Sequence, residues 1–596
     1  MQPDQYYKER LQKLQQELKK LMQKKKSLGW LRFGTVAAIL TGIYILWTLG
    51  WIYIVVTALL LAIIFLRLVF IDQENATAIE HAKHLIAINT DELKALEHNY
   101  YHFDAGTAFI PAAHLYANDL DIFGRASVYQ FINRTTSEPG SATLASWLQQ
   151  PADIETLLQR QDAVKELCKM TEWKQELQAL GREKKIQYST LQKLNYWLQE
   201  KDLFSSFKPW NWLKYLLPAI ILSATILTIF SYISLDIWYI FLFVFALIAY
   251  NIDKKVKPIH RQLSKIVEEV DILSGSIGLV EKTTFHSPLL LKIQEQFGHT
   301  NGRASATLYQ LKKLLDRLDI RYNIILSAPL NLFLLWNLHQ VTALEKWKHQ
   351  HGKQITKWFT ALGELEALNS FSTAAFNNPG WCFPVFETGH FFIEGNAIGH
   401  PLINAAKRVN NPIKIDNSSE LMLVTGSNMA GKSTYLRSIG VNVILAMAGA
   451  PVCAGDFRLS PVQVISSMRI ADNLEESTST FYAELKKLKI IIEKVNSGEK
   501  VFILLDEILR GTNSLDRHTG SVALIKQLIK HQAVGIIATH DVELAELKKE
   551  FPSNILNYHF DVQVSNDELY FDYLLKDGVC TSMNASILMK KIGIEL

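Results

Sequence analysis

Residues 426–433, Gly-Ser-Asn-Met-Ala-Gly-Lys-Ser, fit the pattern GxxxxGK[ST]. An apolar run, Leu421–Val424, precedes them and a helical pattern follows. In that strand–loop–helix setting such a loop cradles phosphate. Backbone N–H groups across Gly426, Ser427, Asn428, Met429, Ala430 and Gly431, and at the helix start near Thr434, can surround phosphate oxygens. Lys432 is suited to the β- and γ-phosphates and Ser433 to a Mg²⁺ ion. The stretch "VFILLDE" supplies an acidic counterpart. Asp506, at the end of a buried-strand pattern, can hold Mg²⁺, and Glu507 can act as the general base that orients water. "GIIATHD" reads as a further strand ending at Thr539 and His540, a position from which His540 can sense a γ-phosphate or polarise the water. ATP and Mg²⁺ are the expected substrate and cofactor. "DNLEESTSTFYAELKKL" places Ser479 and Thr480 just ahead of a helix, where either can cap it.

These residues need elements to hold them. From about residue 386, short apolar runs (421–424, 501–505, 534–538) alternate with helical patterns, which predicts a mostly parallel sheet covered by helices. Residues 71–200 and 255–375 have apolar positions three and four apart and predict helices. Residues 1–30 carry Leu11, Leu14, Leu18 and Leu21 as one stripe, predicting an amphipathic helix lying on its neighbours or a membrane surface, with a short coiled coil as the alternative.

Two blocks are different. Phe33–Leu66 has no charge and predicts two short spans of about 17 residues that turn near Gly50–Trp51, or else one long tilted span. Tyr215–Ile252 is interrupted only by Asp236 and predicts a second hairpin with "SLD" at its turn. Trp47, Trp51, Trp210, Trp212 and Trp238 sit where interfacial anchors would. Lys and Arg flank both blocks and are absent from both turns, so the soluble parts are expected on the cytoplasmic side of the inner membrane of the cell. A third charge-free stretch, 323–338, predicts a buried or surface-lying helix; a fifth crossing would put the phosphate site outside the cell.

The expected chain is multidomain, α plus α/β. It has an amphipathic helix (1–30), a transmembrane hairpin (31–70), a first helical-core segment (71–212), a second hairpin (213–252), a second core segment (253–385) and a P-loop domain (386–596). A net charge of +4 over 596 residues gives no global basic field. Four scattered cysteines exclude a disulfide framework and a cysteine zinc site, so no structural metal is expected. No cleavable signal peptide is evident.

"TGSNMAGKSTYLRSIG", "STSTFYAEL", "LLDEILRGTNSLDR" and "ATHD" occur in that order and closely resemble the ATPase of the MutS mismatch-repair family, a branch of the ABC-type ATPases. Upstream, "INRTTSEPGSATLASWLQQPADIETLLQRQDAVKEL" (132–167) resembles the start of the family's helical core, and "LGELEALNSFSTAA" (362–375) its return helix. "GHPLI" (399–403) resembles the segment entering the nucleotide site, which implies a nucleotide role for His400. The resemblance implies a head-to-tail homodimer, with Ser479 reaching the γ-phosphate held by the other subunit and Asp516 at the dimer contact. It also implies DNA as a partner. Ser477 and Leu509 stand where the family often has Gly, "GVCTSMNAS" replaces its Ser-Tyr-Gly element, and no Phe-x-Glu mismatch wedge is evident.

Two functions follow from this reading. One is a membrane-anchored ATPase, with four transmembrane helices, that handles DNA. The basic, aromatic cluster "KWKHQHGKQITKW" (346–358) offers phosphate and stacking groups for that, although a solvated or membrane-facing surface is the plainer reading. The other is a membrane mechanoenzyme in which closure of the dimer moves the spans against one another. The near absence of ionisable residues from the spans argues against an ion-coupled transporter.

Overall fold

The computed structural model describes residues 2–48, 50–207, 209–299, 302–416, 419–427, 429–468, 480–565 and 568–580. Helix α1 (Pro3–Leu46) carries proline in its first turn, where the missing N–H costs no hydrogen bond. Helix α2 (Trp51–Leu96) runs back along it. Side-chain pairings fix the antiparallel register: Gly42 lies against Thr57, Asn75 Nδ2 donates to the Leu21 carbonyl at 3.1 Å, and Arg32 pairs with Asp72 at 3.0 Å. The predicted boundaries at residues 30/31 and 70/71 therefore fall inside continuous helices. The polar half of the arm docks on the rest of the protein. Leu14 is buried against Leu85, Ile88 and Ala179, while Leu11, Leu18 and Leu21 are half-buried. Tyr7 Oη donates to Asn377 at 2.8 Å, and Arg10 pairs with Glu172 at 3.2 Å. The apolar half projects, with Trp47 and Trp51 at its tip both exposed.

Helices α3 (Glu138–Gln149), α4 (Ile154–Cys168) and α5 (Thr171–Glu183) begin the core. The second hairpin is α6 (Trp210–Ile229) and α7 (Leu235–Leu263). Its turn precedes "SLD": Ser234 is the N-cap of α7, and Leu235 and Asp236 already lie in its first turn. Among the described residues, four helices, α1, α2, α6 and the one beginning with α7, are long and apolar enough to cross a membrane. Helices α8 (Val267–Glu281) and α9 (Ala304–Asp319) follow. The third apolar stretch forms α10 (Ile324–Leu334), which lies on the surface: only Ser327 in it is buried. At Leu335, whose φ is 47°, the chain turns into α11 (Trp336–His351) and then α12 (Ile355–Asn377).

Helix α12 is buried almost throughout. Its Glu366 carboxylate accepts from Thr136 N and Oγ1 (3.2 and 2.7 Å) and from Ser137 N and Oγ (3.0 and 2.7 Å). A Cβ on Gly140 would lie 2.1 Å from that carboxylate, and one on Gly363 would lie 3.0 Å from the Pro139 carbonyl. The two glycines are what allow α3 and α12 to cross this closely. Beside this crossing Arg134 meets Glu92 through two bonds of 2.5 and 3.1 Å, both side chains being buried, and its guanidinium lies 3.6 Å from the Phe103 ring centroid.

The remaining chain is built on two main sheets, beside a short two-stranded ribbon of 563–565 with 568–570. β1 (Val385–Phe386), β2 (Ile393–Ile398), β3 (Asn411–Ile415) and β5 (Asp456–Leu459) make a small sheet in the order β1-β5-β2-β3. β4 (Leu421–Thr425), β6 (Gln463–Ser467), β7 (Val501–Asp506), β8 (Val534–Thr539), β9 (Ile555–Phe560) and β10 (Leu575–Asp577) make the large one, in the order β10-β9-β4-β8-β7-β6. All its pairings are parallel except β9 with β10. Around it lie α13 (Lys432–Ala448), α14 (Thr480–Asn496) and α15 (Ser514–Lys530). The helical core is welded to this domain: Arg160 of α4 donates to the Ala448 carbonyl at 3.0 Å, and Asp119 accepts from Ser466 Oγ and Lys487 Nζ, both at 2.7 Å.

Replacing Arg134 by Ala leaves Glu92 buried without its main partner and should cost about 3–5 kcal/mol. In detergent this should lower the thermal unfolding midpoint, and the Arg134→Leu, Glu92→Leu double variant should recover much of the loss. Equal midpoints for Arg134→Ala and the parent would show that the pair carries no such role.

Candidate functional site

The parallel register brings the carboxyl ends of β4, β7 and β8 to one edge of the sheet. After β4 the chain enters the phosphate loop through Gly426 (φ 149°), where a Cβ would sit 2.8 Å from the Phe560 carbonyl. It leaves through Gly431 (φ 108°) directly into α13. Asn428 lies outside the described residues, and Met429 points out to solvent with 79% exposure. Ser427, Ala430, Lys432, Ser433 and Thr434 line a cleft of about 380 Å³ that Glu507 also borders. Lys432 is buried and donates from Nζ to the carbonyls of Gly426 (2.8 Å) and Ser427 (3.0 Å). Burial pushes its pKa down to about 8.

Glu507 has φ 54°, yet its N–H donates to the Ala538 carbonyl at 2.9 Å and so stays anchored to β8. That anchor sets its carboxylate beside His540, with Oε1 2.8 Å from Nε2; His540 is in turn 3.3 Å from Lys432 Nζ. Arg510 Nε meets the other carboxylate oxygen at 2.9 Å. The hydrogen bond to His540, helped by Arg510, holds the Glu507 pKa below the usual carboxylate range. Glu507 is therefore ionised at neutral pH and only weakly basic. Next to it, Asp506 Oδ1 is buried with no hydrogen-bond partner among the described residues. The open carboxylate oxygen of Asp506 and the hydroxyl of Ser433, which lines the cleft, are hard oxygen donors of the kind that suits Mg²⁺.

His400 is placed otherwise. Its buried ring accepts from the Leu402 N–H at Nδ1 (3.2 Å), and burial with nearby Arg437 pushes its pKa down to about 4, so it is neutral. It does not line the cleft; the turn it stabilises sends Ile403, Lys407 and Arg408 there instead. Asp516 lies in the exposed first turn of α15, bonded to Asn513 at 2.7 and 2.9 Å and away from the phosphate loop cleft. Ser479 lies outside the described residues. The basic, aromatic cluster at 346–358 cannot stack bases as it stands, because Trp347 and Trp358 are buried and Lys348 is bound to Asp202 at 3.3 Å.

Several site residues escaped the sequence reading. Ile398, Ile403, Val409 and Tyr573 form an apolar end of the cleft suited to a flat base. They come from segments that only the two sheets bring beside the loop, and no local pattern marks them. Glu484 of α14 is buried, with Oε1 accepting the Leu509 N–H at 2.5 Å. Through this bond the helix after Ser479 holds the turn that follows Glu507. Leu509 itself has φ 58°, which explains why glycine is common there in the family pattern. Its side chain is buried, and only a glycine at 520 leaves room for it: a Cβ there would lie 2.5 Å from Leu509 Cδ1.

A strand, a glycine loop with lysine at a helix start, and an acidic pair at the end of a neighbouring strand define a P-loop phosphate-binding domain. Residues 422–592 match the family model MutS domain V. The DNA mismatch repair protein MutS of Thermotoga petrophila is 32% identical over 237 residues, 39% of this chain and 29% of the relative. That of Aquifex pyrophilus is 28% identical over 341 residues, 55% of this chain and 38% of the relative, a stretch long enough to reach into the helical core. MutS protein homolog 4 of Mus musculus is 35% identical over 196 residues, 31% of this chain and 20% of the relative. The likeness to the MutS family thus rests on residues 422–592 and on the stretches these relatives share with the chain. The chain spans less than two-fifths of the length of these relatives.

Only the ammonium form of Lys432 attracts phosphate, and a bound phosphate would keep it protonated. Affinity for a nucleoside triphosphate should therefore be flat well below pH ~8 and fall about tenfold per pH unit above it. Titration with a fluorescent nucleotide across that range checks this; constant affinity would mean that Lys432 does not contact the phosphates.

Proposed function

We propose that this protein is a membrane-anchored, MutS-like ATPase that works as a head-to-tail homodimer and handles DNA at the cytoplasmic face of the inner membrane. The observation that carries the ATPase part is the convergence of Lys432, Glu507 and His540 beside the open Asp506 oxygen. Lys432 draws the β- and γ-phosphates, while the apolar end of the cleft takes the base. Ser433 and Asp506 would hold Mg²⁺, which when bound neutralises phosphate charge. Glu507, ionised and weakly basic, orients the attacking water more than it deprotonates it. That suits a phosphoryl transfer whose transition state is largely dissociative. His540, between Glu507 and Lys432, is placed to register the γ-phosphate.

Glu507 and His540 also wall a second cavity of about 420 Å³ on the side of Leu515 and His518. A second subunit docking there would bring its Ser479 segment to the γ-phosphate, and Asp516, on the same surface turn, would lie at the contact. Glu484 would then link the serine segment given to the partner's site with the Glu507 turn of its own. The names of the relatives support DNA mismatch repair or DNA-structure handling; the missing wedge argues against mismatch reading as such. Anchoring is supported by the four apolar helices and their cationic flanks.

A second reading, a membrane mechanoenzyme acting on a membrane partner without DNA, is favoured by one feature. Asp253 of α7 is bonded to Arg321 at 2.8 and 3.0 Å and to Asn337 at 2.8 Å, tying the second hairpin to the start of α11–α12, which leads to the ATPase sheets.

Lys432→Ala should lose nucleotide binding, and Glu507→Gln should bind ATP but turn over about 100-fold or more slowly. Unchanged affinity or unchanged turnover, respectively, would remove the residue from its role. ATPase rates of the detergent-solubilised protein should rise with duplex or branched DNA, and less so as salt increases. A flat response at every salt concentration would favour the mechanoenzyme.

A further inference from the structure

Helix α10 presents a face that nothing among the described residues covers. Ile324 and Ile325 are 77% and 80% exposed, and the segment from Asn323 to Leu335 contains no ionisable residue. Eleven residues rise about 16 Å, half of a bilayer core, so the helix cannot cross one. It packs against α6 and α7, the second hairpin. Both of its ends are tied to one residue: Arg321 just before it and Asn337 just after it both bond Asp253. Asp253 marks the level at which α7 passes from its apolar stretch to Lys254, Lys255 and Lys257. A helix with both ends held at that level runs across the hairpin rather than along it. The 80° bend between α10 and the α11–α12 helix agrees with this.

We propose that α10 lies in the plane of the cytoplasmic membrane surface, with Ile324 and Ile325 among lipid at the headgroup boundary, and forms the membrane end of the α11–α12 lever. The proposal rests on the reading of α6–α7 as a membrane hairpin. Its occupant is lipid because the exposed apolar face stands beside the exposed apolar hairpin that α10 packs against, and because Lys254, Lys255 and Lys257, exposed next to the Asp253 that holds both ends of α10, suit anionic headgroups. Leu335 and the Asn331 side chain, which accepts the Asn337 N–H at 2.9 Å, fix the elbow, so movement of the lever would shift α10 in the interface.

The test places an environment-sensitive fluorophore on Ile325→Cys and, separately, on Phe243→Cys in the apolar part of α7, with the signal of the labelled parent subtracted. Each protein is reconstituted in vesicles containing anionic lipid with a nitroxide either near the headgroup or near the chain end. The Ile325 label should lose most of its emission to the shallow nitroxide and little to the deep one, and the Phe243 label should lose more to the deep one. An Ile325 label untouched by both, with Phe243 quenched, would mean that water, another segment or a second copy covers α10. Stronger deep than shallow quenching at Ile325 would mean that α10 enters the bilayer as part of a crossing. Either result overturns the proposal. An unquenched Phe243 label would instead overturn the anchoring reading on which it rests.

Discussion

The burial of α12 is the constraint on which the other parts depend. A helix enclosed along almost its whole length needs neighbours on every side, and its one carboxylate in the crossing, Glu366, needs donors. Thr136 and Ser137 supply them, and Gly140 and Gly363 let the two backbones come close enough to do so. The arm formed by α1 and α2 is then fixed at the end of α12, where Tyr7 meets Asn377 and Glu92 accepts from both Asn377 and Arg134. The other end of the same path leads through α11 to the Asp253 hub. One buried helix thus fixes the distance between the apolar hairpins and the phosphate site.

At that site the governing effect is electrostatic. Three strands end together, so a lysine, an imidazole and two carboxylates are held within a few hydrogen bonds of one another, Lys432 and Asp506 buried and Glu507 and His540 at the mouth. Burial lowers the Lys432 pKa, while the His540 and Arg510 contacts lower that of Glu507. The two effects oppose each other in consequence: the cation becomes easier to neutralise and the anion harder. In the proposed hydrolysis Glu507 would accordingly orient the water, and Lys432 would be the group most sensitive to the arrival of phosphate.

The α14 helix extends this site beyond its own cleft. Glu484 and the tight contact of Phe481 with Gly511 join the helix following the serine segment to the turn following Glu507. In a head-to-tail pair, what one site donates to its partner would be mechanically joined to what it keeps for itself.

The sequence by itself determined the elements with strong local signals. The glycine loop, the strand-end acids and the parallel α/β alternation are written in short contiguous patterns, because each depends on residues adjacent along one strand or turn. The apolar blocks were legible for the same reason, since charge-free length is a local property. The continuity of α1 and α2 through the polar–apolar boundaries was not, because a change in polarity does not break a helix whose backbone bonds are satisfied throughout. Only the tertiary structure decided which polar residues were spoken for. His400 became a buried, neutral turn former, and the tryptophans of the 346–358 cluster became core. Glu484 gained an amide partner 25 positions away. The apolar wall of the cleft, assembled from Ile398, Val409 and Tyr573, exists only once two sheets have packed. Burial and partnership at long sequence separation are properties of the packed chain, and no spacing rule along the sequence encodes them.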